Sequence, residues 1–169
     1  MVSKPQNINS LFSEIKQLIE EARQTVAVAV NAATTILYWN IGNRIKIEVL
    51  ENKRGEYGKE VVKTLSQELT QEYGKGWSEQ HIWHCLRFAE TFPEKEILYA
   101  LSRQLSWTHF RTFIYLNDEI KREFYIQMAR TENWNTRTLN EKDIIANPLA
   151  KQGLLATKVT KMLASTANG

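Results

Sequence analysis

Cysteine is almost missing from this sequence: Cys85 stands alone among 169 residues. A single thiol cannot close an intramolecular disulfide, and it rules out a cysteine-rich zinc site. Breakers are scarce too, with seven glycines and three prolines. So few of them suit long helices better than many short strands joined by tight turns. Histidine occurs only at His81, His84 and His109, and aspartate only at Asp118 and Asp143. There is no HExxH pattern and no glycine-rich phosphate loop. The catalytic inventory is therefore thin, and no metal or cofactor is expected. No stretch approaches the ~20 apolar residues that span a bilayer, and Met1 to Ser10 lack a signal-peptide core. A cytoplasmic setting without membrane attachment is the expectation.

What is present is a globular composition: 43% hydrophobic, 10% aromatic, five tryptophans and 24% charged residues. That suits one domain with a sizeable core, plus at most a short appendage. The formal charge of +3 is mildly basic. It permits nucleic-acid binding without requiring it, because clustering matters more than the sum.

Apolar residues Leu11, Ile15, Leu18, Ala22, Val26, Ala29, Ala33 and Leu37 recur at steps of three and four, which predicts one helix from about Ile8 to Leu50. The run Val26 to Val30 alternates like a strand, and Gly42 invites a bend. A helix of ~60 Å exceeds what a domain of this size needs, so the pattern implies a bend or a partner chain. A turn near Asn52 to Gly55 leads to a second helix, Lys59 to Tyr73. Gly74-Lys75-Gly76-Trp77 then breaks the chain, and Ser78 caps a third helix from Glu79 to Thr91, stopped by Pro93. Shorter helices are predicted at 97–101, 107–116, 119–133 and 137–145, with Ser106, Asp118 and Asn135 at their starts. From residue 143 to 169 the composition loses its aromatics, and a weakly helical or disordered tail is expected, with Leu154, Leu155, Val159, Met162 and Leu163 as its apolar positions.

The second and third helices, joined by a Gly-rich corner, have the layout of a helix-turn-helix. On that reading Gln80, His81, His84 and Arg87 face outward to DNA while Ile82, Leu86 and Ala89 face inward. Glutamine can bond adenine, arginine can bond guanine or a phosphate, and Lys75 would sit where a phosphate passes. The same residues also read as an ordinary solvated helix face. In SRQLSWTHFR (Ser102 to Arg111), Arg103, His109 and Arg111 surround Trp107 and Phe110. They would either widen a phosphate-binding surface or face water around a core anchored by Leu105, Trp107, Phe110 and Ile114. The His81/His84 pair reads as a surface pair rather than a metal site, and Cys85 as a buried, inert thiol.

The runs YWNIGNRI (Tyr38 to Ile45), EYGKEVVKTLSQELTQEYGKGWS (Glu56 to Ser78), RFAETFP (Arg87 to Pro93), LSRQLSWTHFR (Leu101 to Arg111) and KREFYIQMARTENWNTRTL (Lys121 to Leu139) resemble the N-terminal domain of the YhcG-like bacterial proteins. The resemblance covers about Leu11 to Lys142. In that family the helical domain precedes a nuclease domain of the PD-(D/E)XK type, which implies DNA binding or subunit assembly in the service of DNA cleavage. No Asp lies upstream of a Glu-x-Lys pair in a strand pattern here. A truncated member without the nuclease half, and so not itself an enzyme, is the expectation.

Together these readings predict an all-α chain, with a long N-terminal helix and a helix-turn-helix-like bundle over residues 8–142. The expected role is DNA binding through Lys75, Gln80, His81, His84, Arg87, Arg103, His109 and Arg111. The alternative is an oligomerisation or protein-interaction module without DNA contact. Expected partners are DNA, a second copy through the N-terminal helix, and a separate nuclease subunit.

Overall fold

A computed structural model describes residues 4–52 and 55–142, and every element among them is helical. In chain order they are α1 (Lys4–Asn52), α2 (Gly55–Tyr73), α3 (Glu79–Thr91), α4 (Lys95–Leu101), α5 (Trp107–Phe113), α6 (Glu119–Thr131) and α7 (Thr136–Glu141). The all-α expectation holds, with the long first helix in place and α2 and α3 following one another across the corner at residues 74–77. The tail expected at 143–169 lies outside the described residues.

α1 is helical over 49 residues without interruption, a rod of roughly 70 Å at ~1.5 Å per residue. Neither the alternating valines nor Gly42 breaks it. Gly42 instead marks a close approach: a Cβ there would lie 1.8 Å from the Cys85 carbonyl oxygen and 2.4 Å from its carbon. Only a bare Cα lets α1 and α3 come this near.

The rod has two unlike halves. From Ala32 onward it packs into the head, burying Thr35, Trp39, Gly42 and Ile45. The Trp39 indole N–H donates to the Phe92 carbonyl across 2.7 Å and ties α1 to the end of α3. From Ile8 to Asn31 every side chain is exposed except half-buried Val28. That half carries Ile8, Leu11, Phe12, Ile15, Leu18, Ile19, Val26 and Val30, with Phe12 68% and Leu18 65% exposed.

α3 is the axis of the head, packed against α1, α2 and α5. Its Ile82 and Leu86 meet Ile45 and Val62 on one side. On the other, Phe88 joins Trp39, Phe92, Phe110 and Phe113 in the main core. The Phe88 ring lies 5.0 Å from Phe110, and Phe92 meets Phe110 edge-on at 5.5 Å, geometry that aromatic quadrupoles favour.

Local chemistry sets the boundaries. Ser78, Asp118 and Asn135 each accept a backbone N–H three residues on, from His81, Lys121 and Thr138 at 3.2, 3.0 and 2.8 Å, the N-cap bond that satisfies an orphan donor. At the corner between α2 and α3, Gly74 (φ +85°) and Gly76 (φ +120°) adopt backbone angles that L side chains rarely take. Several ends differ from expectation. α5 stops at Phe113 rather than Leu116, and α7 starts at Thr136 and ends at Glu141, the last residues of the expected 137–145 helix lying outside the described residues. Short helices held by tertiary contacts have no periodicity of their own to fix their ends.

Candidate functional site

The corner and α3 were expected to form the nucleic-acid surface. Gln80 is exposed at the start of α3, and Lys75 is exposed on the corner, as expected of both.

His81 and His84 do not face solvent as expected. His81 is half-buried within a cage of rings, edge-on to Tyr38 at 4.6 Å, Trp77 at 5.6 Å and Trp107 at 5.8 Å. Its Nε2 lies 3.8 Å from the Cys85 sulfur. Burial pushes its pKa below the usual histidine value, and the nearby His84 and Arg111 charges push the same way. His84 is only 6% exposed. Its Nδ1 pairs with the Tyr115 hydroxyl at 2.7 Å, while its Nε2 is buried with no protein partner among the described residues. Burial, then the Arg111 charge, lowers its pKa too. Both imidazoles are held neutral, which is the opposite of what a phosphate contact needs.

Arg87 is committed within the chain. Its Nε donates to the Ile114 carbonyl at 2.6 Å and one terminal nitrogen to Asn117 at 2.9 Å. Its guanidinium also sits 4.9 Å from the centre of the Tyr115 ring. This arginine pins α3 to the segment after α5. The physical reason is burial from several directions: Tyr38 of α1, Trp77 of the corner and Trp107 of α5 enclose His81, while the segment after α5 holds His84 and Arg87. What stays exposed on α3 is Glu79, Gln80, Trp83 and Glu90, two carboxylates and no cation.

His109 is corrected likewise. It is 9% exposed, and its Nδ1 accepts the Ser106 backbone N–H at 3.1 Å. That bond fixes the proton on Nε2, which donates to the Trp134 carbonyl at 2.8 Å. The ring caps α5 and ties it to the chain beyond α6. Arg103 and Arg111 are exposed. Arg111 edges a polar cleft of about 270 Å³ with Thr108, Thr112, Tyr115, Thr136 and Asn140. Arg103 and Tyr99 form one wall of a groove of about 380 Å³, whose opposite wall is α1 at Ala33, Ile36 and Leu37.

Cys85 is buried, and its thiol is pushed up to about 12 by desolvation, which makes it inert as a nucleophile. No group of three or more His, Cys, Asp or Glu among the described residues could hold a metal. No helix among them is long and apolar enough to cross a membrane. Among the described residues the apolar half of α1 is exposed, and its spacing was visible in the sequence. That stripe runs into the groove beside Tyr99, a connection the sequence did not reveal.

No solved structure matches the chain significantly. Among curated proteins it is similar to "Putative nuclease YhcG" of Escherichia coli (strain K12), at 26% identity over 146 residues. The match takes in 78% of this chain but only 39% of the length of that relative. The DUF1016 N-terminal domain family model matches residues 14–147. With most of its length under that match, the chain belongs to the DUF1016 N-terminal domain family.

Proposed function

We propose that this chain is a protein-association module of a YhcG-like nuclease system: a rigid helical head bearing an N-terminal helix that docks protein. The observation that carries this reading is the solvent-exposed apolar stripe on α1, from Ile8 to Val30. A helix leaving eight large apolar side chains in water is unusual unless something else covers them. The association would serve nuclease chemistry, as the name of the E. coli relative suggests, carried by another domain or a separate subunit.

The competing reading is direct DNA contact. It draws support from that same name and from Lys75, Arg103 and Arg111, the cations of the expected set that stay exposed. It has lost His81, His84, Arg87 and His109 to internal packing, and the exposed part of α3 carries carboxylates. Association is therefore the better-supported role.

Sedimentation velocity over a range of chain concentrations, with and without duplex DNA at low and high salt, tests it. The expected result is concentration-dependent association that DNA leaves unchanged. A chain that stays monomeric yet co-sediments with DNA, more weakly as salt rises, would overturn the proposal.

A further inference from the structure

The two apolar faces of α1 point in nearly opposite directions. At 100° per residue, Ile8, Ile15, Val26, Ala33 and Leu37 fall within a narrow sector. Thr35, Trp39 and Gly42, buried in the head, centre on the other side of the helix, about 180° away. The exposed stripe is thus not the head-facing stripe continued outward.

The same half of α1 also contains residues that make a poor free-standing helix. Thr25, Val26, Val28 and Val30 are β-branched and lose side-chain freedom in a helix. A helix built this way depends on packing for its stability.

The charges beside the stripe identify what packs there. On one side, set back toward the head-facing direction, are Glu14 and Glu21; on the other are Lys16 and Arg23, with Glu20 behind them and paired to Arg23 at 3.5 Å. When two such helices lie parallel about a two-fold axis, the acidic flank of each faces the basic flank of the other. Glu14 then stands level with Lys16 of the second copy to within two residues, and Glu21 with Arg23 by the same offset, so one register serves both pairs. In the antiparallel arrangement acid would face acid and base would face base. Flanking charges of this kind choose partner and direction more than they add stability.

The area is sufficient. Half-exposed side chains of this size present about 60 Å² each, and the stripes of two copies remove on the order of 1,000 Å² of apolar surface, near the threshold for a specific interface. Toward the head the same sector of α1 enters the groove beside Tyr99 and Arg103, so the pairing is confined to the exposed half, Ile8 to Val30.

We propose that the N-terminal half of α1 pairs in parallel with the same segment of a second copy of this chain, with the heads splayed to opposite sides. This rests on the association reading and specifies its occupant and direction.

Cysteine cross-linking separates the two levels. Cys85 is buried and inert, so introduced thiols report alone. Ile15→Cys and Val26→Cys are prepared as separate full-length chains and oxidised singly and as a mixture. The expected result is a covalent dimer from each variant alone and no 15-to-26 cross-link in the mixture. Efficient 15-to-26 cross-linking in the mixture alone would overturn the parallel direction. A non-covalent dimer that cross-links in neither case would overturn the stripe as the interface while leaving association intact. A strictly monomeric wild-type chain would remove both readings. As a second variant, Ile15→Lys/Val26→Lys changes exposed residues only, so the head keeps its helicity and unfolding midpoint. Its dimer dissociation constant should rise about a hundredfold or more, and an unchanged constant would also overturn the proposal.

Discussion

Replacing Gly42 by alanine sets two physical effects against each other. By helix propensity alone the change should help, since Ala is better than Gly inside a helix by about 1 kcal/mol. The packing says otherwise. The new Cβ would lie 1.8 Å from the Cys85 carbonyl oxygen, 2.4 Å from its carbon and 3.0 Å from the Leu86 nitrogen. These are backbone atoms of α3 and cannot rotate away as a side-chain tip could. To restore an ordinary contact the two helices must separate by roughly 1.5 Å, and close-packed interiors transmit such a shift to their neighbours. Trp39 and Ile45, one turn to either side, would lose contact with the core, and the Trp39 to Phe92 hydrogen bond at 2.7 Å would stretch. Overpacking of this kind costs about 1–3 kcal/mol or more, which outweighs the propensity gain. The net expectation is a loss of about 2 kcal/mol and a melting temperature lower by some 5–10 °C. Urea and thermal unfolding followed by far-ultraviolet circular dichroism would read it. A variant as stable as wild type, or more stable, would refute the close approach of α1 and α3 at this residue.

Three further outcomes follow from the head. Arg87→Ala should lower stability by about 1–3 kcal/mol, since it removes charge-assisted bonds to Ile114 and Asn117; unchanged urea unfolding would contradict that. Acid should destabilise the fold through His81 and His84, whose pKa values lie below their ordinary 6.5 in the folded chain. The unfolded chain then binds more protons, so stability is complete above about pH 6.5 and falls as pH drops below it; urea midpoints between pH 5 and 8 check this, and His81→Gln should flatten the slope. Cys85 should resist a thiol reagent in the folded chain at pH 8 and react fully in denaturant; rapid labelling of the folded chain would contradict its burial.

Much of the fold was legible in the sequence because it is written locally. Ser78, Asp118 and Asn135 announce their helices by cap chemistry, and Gly74 and Gly76 announce the corner. The three-four spacing from Leu11 to Leu37 marks the long helix, and its unusual length left a bend or a partner chain open. The site was much less legible, for a physical reason. Single-face periodicity assumes that a helix buries one side, yet α3 is covered on several, by α1, α2 and α5. On such a helix His84 and Phe88 are buried alongside Ile82 and Cys85, and no wheel separates the polar position from the apolar ones. Density of aromatic neighbours was the available signal: His81 and His84 lie in a run with Trp77, Trp83, Cys85 and Phe88. His109 stands three residues after Ser106, a capping spacing that was open to reading as a cap rather than as a cation. Gly42 reads as a bend because sequence shows a missing side chain but not the backbone that fills its place.

The most direct test of the central claim is the solution molar mass of the full chain at tens of micromolar, by light scattering coupled to size exclusion. The expected mass is twice the 19.7 kDa of one chain, reverting to a single chain for Ile15→Lys/Val26→Lys. A wild-type mass of one chain at every concentration would contradict it.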